Sequence, residues 1–489
     1  MQKIGRASAQ VAGRFLFLGV SVQILLGICW GVRSFGIFPE FGDSYTWLKA
    51  SETLVCDDYM GIGYPLFLML VKGIESISSI PYTFFVYTVQ ILIAFYAGVV
   101  FLRACGVTGK KIFLCWGSLA LLTFPCAMQS HLAVLPNSPG YSFLLLELSA
   151  VIRILRQDAV AEDGETTAPD RPLHGLFEAG IWWALSTLCV VENLYLGLVP
   201  LMVLWLIHLW QLRSRKTEKK RVGRELLLLL AMAGILFTLV PMWQTPGSYG
   251  KAENTVSAAM MRRFSWTHMR EEEEYDEWPE RLRTWMTWKE MRNAGYYAGT
   301  MESGIQKTLE DRFGKAEAQK IFIEYAGYHL KTYTSDNIHQ IAWDCLGYAM
   351  PTVLLQLLLD GRGYDSFSGR NVDIMMTGDP RLTELLLKYS SWWFLSGIAV
   401  VVVSGMICGI IAMLRQKKEK TVPDRSLFWK ISGVCVITAA GMILWYTMRD
   451  AGCLDYKNGL LPGSLWLVGM ILWTDRTISA GDTEDNPEK

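Results

Sequence analysis

The sequence predicts an all-α polytopic membrane protein with about ten transmembrane helices and an extracytoplasmic cap domain inserted before the eighth. Three observations carry that expectation. The 489 residues are 51% hydrophobic and 12% aromatic, with a mean hydropathy of +0.24, too apolar for a soluble chain of this size. Apolar stretches recur at the length of about 20 residues that a bilayer core requires. The connections between them alternate between basic and non-basic, as expected when Lys and Arg are retained on the cytoplasmic side.

The spans read from the sequence are 12–32, 82–103, 111–129, 139–157, 176–192, 194–212, 225–243, 391–414, 427–447 and 459–474. Lys3, Arg6 and Arg14 precede or open the first. Arg103, Lys110 and Lys111 separate the second from the third, and Arg153 and Arg156 close the fourth. RSRKTEKKRVGR, 213–224, lies between the sixth and seventh, and RQKKEK, 415–420, between the eighth and ninth. With these five sites on one side, both termini are expected in the cytoplasm of a multi-pass cell-membrane protein. The basic N-terminus resembles a signal peptide, but the long run Phe15 to Val32 has no small-residue cleavage site after it and reads as a retained span.

Three regions follow: 1–243, an N-terminal bundle with a first external loop at 33–81; 244–390, the extracytoplasmic domain; and 391–489, the C-terminal helices and tail. The span pair 176–212 has only Glu192 and Asn193 to mark its turn. DAVAEDGETTAPDRP, 158–172, reads as a flexible cytoplasmic linker by its acid, Thr and Pro content. Residues 309–333 have helical periodicity with Leu309, Phe313, Ala316, Ile321, Tyr325 and Tyr328 near one face. IAWDCLGYAMPTVLLQLLLD, 341–360, carries Asp344 and Pro351 and reads as a helix in the interface or under the domain. GRGYDSFSGRNVDIMMTGDPRL, 361–382, reads as a loop.

Equal numbers of basic and acidic residues, 46 each, give no reason to expect a nucleic-acid partner. The chain has no glycine-rich phosphate loop, HExxH or CxxC, so ATPase, zinc-protease and thiol-redox functions lack their motifs. Cys29, Cys105, Cys115, Cys126, Cys189, Cys408 and Cys435 lie in or beside apolar spans as small hydrophobes. Cys56, Cys345 and Cys453 fall in the expected external segments, where pairing is open to them.

The stretch richest in chemistry is GDSYTWLKASETLVCDDYMGIGYPLFLMLV, 42–71. It places an acid, Asp43, where the chain leaves the first span, and a carboxylate at such a boundary requires a partner, a cavity or a reaction. Asp43 and Ser44 also suit a helix cap. Asp57 and Asp58, before the GIG turn, are candidates for a second acid or for ligands of a divalent metal, and equally for turn residues. Arg449 and Lys457, in MRDAGCLDYKNGLLPGSLWL, lie where a cation would meet a lipid phosphate, or would snorkel to headgroups. His131 and Glu192 are polar residues in apolar surroundings that could line a cavity. In the external segment, Arg262, Arg263, Trp266 and His268 suit contact with an anionic donor or a glycan, or packing onto the bundle. Glu271 to Glu274 read as a solvated run.

An acid soon after the first span, then a helix with aromatic and small residues around Tyr45 and Ala50, then YPLFLMLV at the membrane surface, resembles the GT-C glycosyltransferase superfamily. The closest resemblance is to its protein mannosyltransferase and lipid A aminoarabinose transferase branch. The resemblance implies a polyprenyl-phosphate-linked sugar donor, a glycan, lipid or protein acceptor in the cell envelope, Asp43 as the base that activates the acceptor, and Tyr45 among the substrate contacts. Lys457 and Pro462 match the basic residue and proline that precede the family's last span, although Arg is usual there. Gly42 stands where a second acid often precedes the catalytic one. The other classes open to the sequence are a transporter, flippase or polymerase of lipid-linked glycans, and a non-enzymatic membrane assembly factor.

Overall fold

The computed structural model describes residues 2–35, 44–56, 60–107, 111–162, 171–213, 219–243, 276, 278–285, 287, 289, 305–349, 380–416, 425–450 and 460–482. Among them there is no strand. One isolated antiparallel bridge joins Met60 to Val190, and everything else regular is helical. The protein is all-α and polytopic. Among the described residues, seven helices are long and apolar enough to cross a membrane: Gln10–Ser34, Tyr82–Cys105, Asn137–Ala159, Asn193–Leu212, Lys219–Trp243, Arg381–Val403 and Lys430–Thr447. Their outward faces are hydrocarbon, with Leu18, Leu25, Leu92, Leu227, Leu230 and Val436 all exposed. Such a continuous apolar surface fits lipid and not water.

The elements run α1 (Gln2–Ser34), α2 (Ser44–Thr53), α3 (Gly63–Ser78), α4 (Tyr82–Cys105), α5 (Lys111–Leu122), α6 (Pro125–His131), α7 (Asn137–Glu162), α8 (Arg171–Cys189), α9 (Asn193–Leu196), α10 (Leu198–Arg213), α11 (Lys219–Trp243), α12 (Glu280–Arg283), α13 (Ile305–Phe313), α14 (Lys315–Thr332), α15 (Thr334–Ala349), α16 (Pro380–Gln416), α17 (Arg425–Asp450) and α18 (Leu460–Asp482).

Three of the expected spans take a different form. The stretch 111–129 is broken into α5 and α6, which meet at 79°. The cause is local: Pro125 opens α6, and Phe124 before it is extended at φ −58° and ψ 131°, because a proline disfavours the helical region for its predecessor. The stretch 176–192 falls on the 19-residue α8 only as far as Cys189, outside the seven long apolar helices, and 459–474 falls on the shorter apolar helix Leu460–Asp475.

The centre of the bundle is a four-helix set. Ser186 Oγ on α8 donates to the Gly140 carbonyl on α7 at 2.8 Å. At the other end of the same pair, Arg153 donates to Glu178 at 2.6 Å, so α7 and α8 are antiparallel. The chain turns at Val191 and Glu192, and α10 then runs alongside α7, from Gly197 beside Glu147 to His208 beside Asp158. The α11 helix returns, with Glu225 against His208 and Met232 against Gly180. All four helices therefore meet at one end near the basic 213–224 connection, called here the basic end.

At the opposite end two smaller layers cover the bundle. One is α2 with α3, sealed by Trp47, Cys56, Met60, Tyr64 and Leu68 against Val86, Tyr87, Val134 and Leu135. The other is the helical run α13 to α15, broken at Gly314, whose φ of +79° is a left-handed value favouring glycine. Its last helix packs on the end of α17: Tyr348 meets Tyr446 at 5.9 Å, and Cys345 Sγ lies 3.4 Å from Thr447 Oγ1. The helical periodicity expected over 309–333 is seen as α13 and α14, but the expected face is not uniform: Leu309 and Ile321 are buried, whereas Phe313 and Ala316 are exposed. Residues 350–360 of the expected interface helix and the loop 361–379 lie outside the described residues. Neither Cys56 nor Cys345 is in a disulfide bond, and Cys453 lies outside the described residues.

Candidate functional site

The end of the bundle opposite the basic connections is built on close backbone contact. The GIG turn before α3 lies against the end of α8: a Cβ on Gly61 would stand 2.1 Å from the Leu188 carbonyl oxygen, and one on Gly63 3.0 Å from the same atom. Only glycine permits that approach. It seats the next residue, Tyr64, in the interior, where its ring packs edge-on against Trp47 at 5.6 Å. Its hydroxyl donates to Gln90 Oε1 at 3.0 Å, and burial pushes that hydroxyl well above the usual tyrosine range. The Gln90 amide then donates to the carbonyls of His131 and Ala133, both at 3.0 Å. This network fixes the segment His131–Leu135, whose backbone would otherwise be an unsatisfied loop inside the protein.

That segment leads into a cleft between α7, α9, α17 and α18. It is narrow, with a free volume of about 30 Å³, and is lined by Asn137, Tyr141, Leu144, Val190, Asn193, Met442, Tyr446, Leu460 and Leu461. Its polar groups are fixed by hydrogen bonds. Tyr141 donates to Ser464 Oγ at 2.5 Å, and the Asn193 amide donates to Ser186 Oγ at 2.7 Å.

Of the residues singled out from the sequence, Asp43, Asp57, Asp58, Arg262, Arg263 and Lys457 lie outside the described residues. Tyr45 is largely exposed on α2, whereas Ala50 is buried. His131 is buried, its Nδ1 2.7 Å from Ser138 Oγ, one residue beyond Asn137 at the cleft. Glu192 is partly buried and precedes Asn193, the residue that reaches the cleft. Arg449 is in the last turn of α17, three residues after Tyr446. The structure thus buries His131, half-buries Glu192 and leaves Tyr45 on the surface, with neither His131 nor Glu192 among the residues that line the cleft.

The basic end contains a site that the sequence reading missed. Asp158, His208, Arg221 and Glu225 close a ring of four hydrogen bonds. His208 Nδ1 is 2.7 Å from Glu225 Oε2 and His208 Nε2 is 2.9 Å from Asp158 Oδ2. Arg221 donates to Asp158 Oδ1 at 2.6 Å and to Glu225 Oε1 at 2.9 Å. Ionised carboxylates only accept, so both imidazole nitrogens donate and the ring of His208 is a cation. Two cations and two anions then cancel. The expectation of a flexible linker from residue 158 is corrected here: α7 continues to Glu162, because Asp158 is held by two helices. Arg221 likewise belongs to α11, which starts at Lys219, and not to a loop.

Also missed was Glu147, in the middle of an apolar span, with no exposed surface and neither carboxyl oxygen hydrogen-bonded. Ionisable residues within spans are the signal that could have found Glu147 and His208. Among the described residues no group of three or more His, Cys, Asp or Glu side chains is placed to hold a metal ion; Asp57 and Asp58 lie outside that set.

Comparisons with family models, curated proteins and solved structures give no match for this chain.

Proposed function

We propose that the protein is an integral membrane glycosyltransferase that moves a sugar from a polyprenyl-phosphate donor to a glycan, lipid or protein acceptor at the extracytoplasmic face. The supporting observation is the cleft. Its walls include Tyr446 and Leu460; Tyr446 is three residues before Arg449 on α17, and Leu460 is the described residue nearest along the chain to Lys457. A lipid phosphate bound at its mouth would lie beside the segment that carries both cations. Its Val190 wall pairs with Met60, which ties the cleft to the 42–71 stretch that carries Asp43.

In this reading the chain has ten spans, both termini are cytoplasmic, and 244–390 forms a cap that takes part in acceptor recognition. Asp43 accepts the proton of the acceptor hydroxyl as that oxygen bonds to the sugar's anomeric carbon. The bond from that carbon to the phosphate oxygen breaks, and its electron pair leaves with the phosphate. Arg449 and Lys457 stabilise the charge that develops there. A general base of this kind contributes about 100-fold or more.

Purified protein supplied with a panel of polyprenyl-phosphate sugars should release lipid phosphate, and Asp43→Asn should lower the rate about 100-fold or more. Turnover unaffected by the substitution would remove Asp43 from the mechanism.

A transporter or flippase of lipid-linked glycans is the second reading, favoured by the 79° break between α5 and α6, since broken helices mark transport folds. Movement of the donor across vesicles without release of lipid phosphate would select it.

A further inference from the structure

We propose that Glu147 is a proton-binding site: a neutral carboxylic acid in the middle of the bundle, beneath the cleft, whose proton exchanges with solvent. Glu147 is ten residues beyond Asn137, the start of α7. At 1.5 Å per residue this is about 15 Å along the helix, half of a hydrocarbon core roughly 30 Å thick. Its side chain has no exposed surface, and neither oxygen has a hydrogen-bond partner. No side chain from α4, α6, α8, α10 or α17, the helices packed against α7, therefore bonds to it. The next cations along its own helix are Arg153 and Arg156, toward the basic end; Arg153 is bonded to Glu178 at 2.6 Å. The imidazole of His208 is committed to Asp158 and Glu225, and Tyr141 to Ser464.

The room left around the carboxyl selects the ligand. A Cβ on Gly197 would stand 2.8 Å from Glu147 Oε2 and 2.3 Å from Trp183 Cδ1, so the acid is enclosed by backbone and indole. The Trp183 N–H points away, to the Asn193 and Leu194 carbonyls at 3.0 and 3.2 Å. A calcium or magnesium ion needs six or more oxygens, and an ammonium or guanidinium needs volume; neither is present. A proton needs neither. A carboxylate isolated in an apolar interior is far more costly than the neutral acid, so the site holds its proton at rest. The exchange route is the cleft: Leu144, one turn above Glu147 on α7, lines it together with Tyr141. This inference does not depend on the transferase reading.

Infrared spectroscopy of the protein reconstituted in lipid tests it. The difference between wild type and Glu147→Gln at neutral pH should contain the C=O stretch of one protonated carboxyl group, and that band should shift on transfer to heavy water. Glu147→Asp, which keeps the acid, should move the band without removing it and serves should the glutamine variant fail to insert. Carboxylate stretches in place of the acid band would overturn the assignment, and an acid band that never shifts in heavy water would overturn the exchange.

Discussion

The two ends of the central four-helix set deal with polarity in opposite ways. At the basic end, four ionisable side chains from three helices are brought together and every charge is matched: His208 is 1% exposed, with Asp158 at 9% and Glu225 at 5%. Toward the other end the fixed polar groups are neutral: Tyr141, held by Ser464, and Asn193, held by Ser186, lie on the wall of a narrow cleft. Glu147, between the two, is an acid left without a partner. The difference separates structure from function. A closed ring of matched charges has no valence left for a ligand and serves to pin helix ends, whereas fixed polar groups around a cleft are available to bind one.

Breaking the ring should have the largest effect. Arg221→Ala leaves two buried carboxylates facing one imidazolium, and removing one partner of a buried ion pair costs about 3–5 kcal/mol. Thermal unfolding in detergent should show it as a large fall in midpoint, and a shift within error would mean that the ring is not closed in solution. At the cleft end Tyr141→Phe removes one neutral hydrogen bond, an expected loss of about 0.5–1.5 kcal/mol by the same measurement. The smallest effect is expected at Glu147. Replacing a neutral acid by its amide, Glu147→Gln, should change stability by no more than about 1 kcal/mol. A destabilisation as large as that of Arg221→Ala would show that Glu147 has a charged partner and would erase the contrast.

The spans were legible because length and apolar composition are local properties, and seven of the ten stretches coincide with long apolar helices. The turn was legible for a related reason, in the adjacent polar pair Glu192 and Asn193 near the middle of 176–212. The 79° break was written in the sequence as Thr123-Phe124-Pro125 inside a span, a signal that a composition window averages away. The ring was not legible. Asp158 and Arg221 are 63 residues apart and Asp158 and His208 are 50 apart, and no spacing rule connects them. Asp158 stands at the head of an acid-rich stretch, so composition assigned it to a linker, while tertiary pairing extends the helix through it. At the other end, Gly61 and Gly63 were legible as a turn but not as the point where that turn lies against the α8 backbone. His131 and Glu192 stood out as polar residues in apolar surroundings, but the cleft itself is lined by other residues, Asn137, Tyr141 and Asn193 among them, and depends on how α7, α9, α17 and α18 meet.

The central claim is that the lipid-linked donor binds at the cleft end of the bundle. A photoactivatable polyprenyl phosphate, cross-linked to the protein in nanodiscs and mapped by peptide mass spectrometry, tests it directly. The account predicts saturable adducts around Asn137 and Tyr141 on α7 and Tyr446 on α17, competed by unlabelled lipid. Saturable adducts confined to the basic end, around Arg221 and His208, would contradict it.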